Sequence, residues 1–286
     1  MNNPSKVGVD ELPSEFTWEN VSGYNFVGDI ADQGGCGSCY VVAGTTMLES
    51  RIMVYYGEKH DLSSQFPLQC NFMNEGCHGG WGYFNGLFLE KYYTVSRDSA
   101  SYTGTTAYDR CNQFAESVPR AKVEKTYYVG GHYGGMSEND MMWELRSKGP
   151  FLFDFNAGQA FQMYKSGILS EDGFPHAINK LSGDLKQEVI SDSLDDEANT
   201  LTSEDYGLQY EALTHSTLLI GWGNDVNSDG SVDSYWIVRN SYGSRWGESG
   251  NFRIRRGLND FAGEGENSAV VPLLFDQNGN IRPHSF

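Results

Sequence analysis

Positive charge is scarce in this chain: lysine and arginine number 20 against 38 acidic residues, for a net charge of −18 over 286 residues. Phosphate and anionic headgroups bind to basic faces, so the imbalance argues against nucleic acid and acidic membrane as partners. No run of 18 or more apolar residues occurs, which leaves no helix able to span a bilayer. The opening Met1-Asn2-Asn3-Pro4 lacks the basic and apolar regions of a secretory signal, so targeting is not readable here. Internal repeats at solenoid spacing are also missing. Apolar residues at 39%, aromatics at 14% and charged residues at 20% exclude an acidic disordered polymer, a coiled coil and a collagen-like repeat. The length suits one large domain or two small ones sharing a cleft.

Glycine, by contrast, is abundant. Its 34 residues cluster at Gly34-Gly35, Gly79-Gly80, Gly130-Gly131, Gly134-Gly135 and between Gly243 and Gly250, which points to many tight turns. Half of the net charge of −18 sits between Ser170 and Thr214, where eleven acids face only Lys180 and Lys186. That pattern reads as a solvated loop. After Cys39, residues Val41, Thr45, Leu48, Ile52 and Tyr55 recur at helical spacing on one face, and Gly57 ends the run. Ser137 and Asp140 predict a capping box for a helix over Glu138 to Lys148, stopped by Gly149-Pro150. Strands are expected where Phe151, Phe153 and Phe155 alternate, and again at Leu218–Trp222, Tyr235–Val238 and Phe252–Ile254. A helix-rich first half and strand-rich second half predict an α+β protein with two packed subdomains. Asp225 to Asp233 matches the opening of a calcium loop, but Trp236 stands where the bidentate glutamate belongs, which favours a polar hairpin turn.

Five cysteines, Cys36, Cys39, Cys70, Cys77 and Cys111, permit two bridges and one free thiol. Cys36 and Cys39 form a C-x-x-C, open to three readings: a redox pair, half of a zinc site, or a structural cysteine beside a reactive one. Zinc lacks a second closely spaced ligand pair, since Cys77-His78 is the only adjacent set. A thioredoxin-like pair lacks the preceding strand and the crossover that follows.

The segment Gln33-Gly34-Gly35-Cys36-Gly37-Ser38-Cys39-Tyr40 fits C-G-[SA]-C-[WY], a signature of papain and the cathepsins. From Leu12 to about Leu274 the chain resembles papain-like cysteine peptidases. The resemblance rests on Leu62-Ser63-Ser64-Gln65, on Gly76-Cys77-His78-Gly79-Gly80, on His215 before an apolar strand, on Asn240-Ser241-Tyr242-Gly243, and on Trp246-Gly247-Glu248-Ser249-Gly250. Within that family it is most similar to the cathepsin C, or dipeptidyl peptidase I, group. Tyr40, the run Tyr128-Val129-Gly130-Gly131-His132-Tyr133-Gly134-Gly135, and Phe252 to Gly257 carry that finer likeness.

The resemblance implies a two-subdomain fold with a helical half (about 12–125), a β-barrel-like half (about 126–275) and the active site in the cleft between them. Residues 1–11 would be a propeptide remnant or linker and 276–286 a C-terminal tail. Cys39 is then the nucleophile, His215 the general base and acid, Asn240 the residue orienting the imidazole, and Gln33 an oxyanion donor. At a helix N-terminus and beside an imidazolium, the Cys39 thiol is expected to ionise readily. Cys36 would pair with Cys77 and Cys70 with Cys111, in an oxidising lumen (lysosomal or vacuolar) or outside the cell. Gly79 and Gly80 would line the substrate groove, with Trp246 on the leaving-group side.

Tyr83 and Tyr128 match the tyrosines around a chloride ion under the S2 pocket, with ordinary aromatic packing as the plain alternative. Tyr83 also counts among the substrate-binding residues; no metal is expected. His215 follows Cys39 by 176 residues, against a family interval of about 130–150, so the acidic 170–214 stretch reads as an insertion, open to nicking at maturation. Expected partners are peptide or protein substrates, an exclusion domain in this or a separate chain, and a further copy of the chain. Without that domain, the competing readings are an endopeptidase and a catalytically idle scaffold. Tyr242 stands where a tryptophan commonly shields the Asn–His bond, and Thr214 where an asparagine commonly precedes the histidine. His60, His78, His132, His176 and His284 read as surface or loop residues.

Overall fold

The computed structural model describes residues 12–106, 111, 118–171, 213–276 and 278–283. The expected 1–11 remnant, residues 172–212 of the acidic stretch and the end of the tail lie outside the described residues, as do His176 and His284.

Helix α1 (Cys39–Tyr56) ends where Gly57 takes a left-handed conformation, φ 70°, and donates its N–H to Met53 O. Helices α2 (Gln65–Cys70) and α3 (Gly82–Lys91) complete the helical part. A long sheet is built around β5 (His215–Val226), which pairs antiparallel with β1 (Phe16–Thr17), β3 (Phe151–Phe155) and β6 (Val232–Arg239). β6 continues antiparallel to β7 (Asn251–Arg255), and β7 runs parallel to the short β4 (Ile168–Leu169). β2 (Ala121–Tyr128) and β8 (Ser268–Leu274) form a separate antiparallel ribbon. Asn227 donates to Ser231 and Asp233 within the turn joining β5 to β6, closing the hairpin expected at Asp225–Asp233. No helix among the described residues is long and apolar enough to cross a membrane.

Helix α4 (Glu138–Lys148) has the bounds and capping box its sequence predicts: Ser137 Oγ accepts from the Asp140 amide, and Asp140 accepts from the Ser137 amide. Helix α1 is buried, as expected, but beyond the one apolar face that its spacing marks: every residue from Tyr40 to Met53 is buried, with β5, β8 and α3 packed against it. Its polar residues are satisfied internally. Thr45, Thr46 and Ser50 bond back to the carbonyl four residues earlier. Arg51, fully buried, donates to the carbonyls of Gly149, Pro150 and Val270, to Tyr127 and to Glu144. This one side chain ties α1 to the end of α4, the start of β3 and β8.

β3 also differs from a half-buried strand. Phe151, Phe153 and Phe155 alternate as predicted, but Leu152 and Asp154 on the opposite face are buried too.

Candidate active site

Cys39 opens α1 because the chain before it is held on three sides. Gly34 turns with φ 61°, its N–H received by Asp32. The Cys36–Cys77 disulfide joins this loop to the Gly76–His78 turn. Gly37 donates to Cys77 O at 2.9 Å, and a Cβ there would stand 2.6 Å from the same oxygen, so glycine is required. A second disulfide joins Cys70 to Cys111, which leaves Cys39 as the free thiol. Both pairs are those the resemblance implied. Ser38 Oγ does not cap the helix; it lies 2.5 Å from Tyr102 OH, and it is the Ser38 carbonyl that receives the Val41 and Val42 amides.

His215 begins β5 and is 6% exposed. Its Nε2 lies 2.8 Å from Asn240 Oδ1, which also accepts the Ser241 amide at 2.8 Å. Two donors on one oxygen fix which end of the Asn240 amide faces the ring; the buried Asn240 Nδ2 is left without a partner. Donation from Nε2 makes Nδ1 the basic nitrogen of the neutral imidazole. Phe155 and Phe161 pack at 5.8 Å from the ring, and Tyr242 covers it at 5.1 Å, in the place commonly taken by tryptophan.

Cys39 and His215 line one cleft of about 440 Å³ together with Gln33, Gly79, Gly80 and Tyr242. The Ser216 amide, next in sequence to His215, hydrogen-bonds to the Cys39 sulfur. Gln33 is clamped from both ends: Oε1 accepts from Ser241 Oγ at 2.5 Å, and Nε2 donates to Cys36 O at 2.9 Å. An amide nitrogen has two hydrogens, so one N–H of Gln33 remains for a ligand in the cleft. A free thiol, a neutral imidazole with a basic nitrogen and the second Gln33 N–H around one space supply the parts for nucleophilic attack on a carbonyl and stabilisation of the resulting oxyanion.

The electrostatics correct one expectation. Burial pushes the Cys39 thiol above its ordinary range, and the nearby Asp154 carboxylate adds to the rise; the amides of Ser216, Tyr40 and Cys39 itself oppose it without prevailing. Burial likewise pulls the His215 imidazole down to about 4, against the hydrogen bond to Asn240. The helix start alone therefore does not produce a low thiol pKa, because desolvation outweighs the amides.

Other sequence expectations fare unevenly. Trp246, expected on the leaving-group side, donates its indole N–H to Gln162 O and packs on Phe161 at 4.9 Å and edge-on to Tyr242, a residue of the cleft wall, at 5.5 Å. His78, read as an ordinary loop residue, lines the cleft from the Gly76–His78 turn. Tyr83 and Tyr128 stack at 4.4 Å with an interplanar angle of 3°, in a second cavity beside the cleft that also holds Asp154 and Glu266. Glu266, the Tyr83 phenol and Asp154 add to burial in raising Tyr128 to about 12. The cavity carries two carboxyls, both raised by burial, and no lysine, arginine or histidine among its described lining residues.

Asp154 and Glu266 are the residues sequence reading missed. The only signal for Asp154 was an acid inside an otherwise apolar strand; Glu266 gave none.

The sequence model of the papain family cysteine proteases matches residues 12–185 and 197–272. Cathepsin C of Schistosoma mansoni is 31% identical over 269 residues, covering 92% of this chain and 52% of that protein. Dipeptidyl aminopeptidase 1 of Plasmodium falciparum is 26% identical over 352 residues, covering 98% and 47%. The chain thus spans about half the length of these two curated relatives. Among solved structures, bromelain of Ananas comosus shares the fold with a TM-score of 0.66 at 24% identity, over 91% of this chain and 99% of that one. Procathepsin L 3 of Tenebrio molitor gives 0.67 at 24%, over 93% and 72%. The helix-borne thiol facing a strand-borne imidazole thus sits in a fold and a sequence that agree, and the chain belongs to the papain family of cysteine proteases.

Proposed function

We propose that this chain hydrolyses peptide bonds by acyl transfer through Cys39, acting as a cathepsin C-like dipeptidyl aminopeptidase. The observation that carries the reading is the shared cleft, with the free Cys39 thiol on one wall and on the other His215, held by Asn240 at 2.8 Å. His215 takes the thiol proton as sulfur attacks the scissile carbonyl, and returns it to the departing amine. Water then attacks the thioester, and the acid product leaves with the thiol restored. The free Gln33 N–H and the Cys39 amide receive the oxyanion. Gly79 and Gly80, without side chains, let an extended peptide lie against the backbone as an added strand.

Release of dipeptides is supported by the likeness to Cathepsin C and Dipeptidyl aminopeptidase 1. An exclusion domain, in this or another chain, would restrict cleavage to that register. The two disulfides fit an oxidising lumen or the extracellular space. A thiol-directed epoxide should label Cys39 stoichiometrically, and peptides with free amino termini should release dipeptides detectable by mass. Absence of labelling under reducing, mildly acidic conditions would favour an idle scaffold. Internal cuts would make the chain an endopeptidase.

A further inference from the structure

Asn20-Val21-Ser22 is the one N-x-Ser/Thr triplet in the chain whose middle residue is not proline; Asn3-Pro4-Ser5 is excluded by Pro4. The fold presents this triplet on a surface turn. Val21 and Tyr24 exchange backbone hydrogen bonds at 2.9 and 3.1 Å, and Ser22 and Gly23 form the tip with positive φ. Asn20, Ser22 and Gly23 are exposed, while the buried Trp18 and Val27 anchor the two ends of the segment.

The turn also orients the Asn20 amide. Its Oδ1 accepts the Gly23 N–H at 3.0 Å, whereas Nδ2 makes no hydrogen bond among the described residues. The oxygen therefore faces the turn and the nitrogen is directed away from it. An amide substituted on nitrogen keeps its carbonyl oxygen, so a group attached at Nδ2 leaves the bond to Gly23 intact. The surroundings leave room for a bulky group. β1 pairs with Gly221 and Trp222, about 20 Å along β5 from His215 at the rise of a strand, and Asn20 is not among the residues lining the cleft.

We infer that Asn20 is the acceptor of an N-linked oligosaccharide, added in the oxidising lumen that the two disulfides fit. Nδ2 attacks C1 of the first sugar of an oligosaccharide carried on a lipid pyrophosphate. The N–C1 bond forms and the C1–O bond breaks; the lipid pyrophosphate leaves with the bonding electrons, and one amide proton passes to a base of the lumenal transferase. Ser22 supplies the hydroxyl, two residues on, that this transferase reads. The inference rests on the compartment and not on the chemistry of the cleft.

The test uses the full chain secreted from a eukaryotic cell behind an added leader. Wild type should run as a slow band that a peptide-N-glycosidase collapses to the mobility of Asn20→Gln, leaving an aspartate in place of the modified asparagine in the peptide map. Ser22→Ala should migrate as Asn20→Gln does. Secreted wild type that the glycosidase does not shift overturns the inference, and so does a shift that persists in Asn20→Gln. Cleavage of a peptide with a free amino terminus, measured on the same preparations, separates the two readings: a glycosylated chain without peptidase activity supports Asn20 and counts against the peptidase alone, and an active chain without the glycan overturns Asn20 alone.

Discussion

Ser241 Oγ donates to Gln33 Oε1 at 2.5 Å, and Gln33 N donates back to Ser241 O at 2.8 Å. These bonds join the loop that carries the proposed oxyanion donor to the residue following Asn240. The groups handling the proton and those receiving the oxyanion are therefore braced against each other across the cleft.

Ser241→Ala removes the hydroxyl that orients the Gln33 amide without touching the thiol or the imidazole. The expected outcome is a fall in kcat on the order of tenfold, with a smaller change in KM. Gln33→Ala, which removes the donor itself, should cost on the order of a hundredfold in kcat. Steady-state kinetics on one peptide compares the two; equal effects on kcat and KM would contradict the bracing role.

Asp154 bears on the reactivity of Cys39. Burial, with a contribution from Glu266, raises its carboxyl to about 7, and its charge raises the thiol. Below about pH 7 Asp154 is mainly neutral and its effect on the sulfur is small; above it the carboxylate opposes thiolate formation. Asp154→Asn should therefore alkylate faster than wild type above pH 7 and at a similar rate near pH 5. Iodoacetamide rates across that range give the answer, and parallel profiles would refute it.

Glu49 lies inside α1, 3% exposed, accepting the Leu62 amide at 2.7 Å, and burial raises its carboxyl from 4.5 to about 8. Between those values the folded chain binds more protons than the unfolded one, so this group's contribution to stability falls as pH rises from about 4.5 to 8. Glu49→Gln keeps the accepting oxygen and removes the titration. Its melting temperature should exceed that of wild type at pH 8, and the gap should close near pH 4.5.

Glu144 pairs with the fully buried Arg51 at 2.9 Å and with Lys148 at 2.7 Å. Glu144→Ala leaves the guanidinium without its carboxylate, and breaking a buried pair on one side costs about 3–5 kcal/mol. Chemical denaturation should show a loss of that order. A change below about 1 kcal/mol would mean that the four other acceptors of Arg51 suffice.

Local rules made several elements legible. Gly57 marked the end of α1, and Ser137 with Asp140 marked the start of α4, because caps depend on a few adjacent residues. The motif around Cys39 and the block at His215 named residues that the fold gathers into one cleft with Gln33, Gly79 and Gly80, while Asn240 reaches it through its bond to His215. The all-round burial of α1 was not legible, since strands distant in sequence cover the face that local periodicity would leave open.

By itself, the sequence determined where the thiol, the imidazole and the amide stand along the chain, where two helices begin or end, and that one cysteine is left unbridged. Only tertiary structure decided the thiol's ionisation and the chemistry of the neighbouring cavity. Both depend on desolvation and on charges brought close by folding: Asp154 from β3 and Glu266 from just before β8 flank one space although 112 residues separate them.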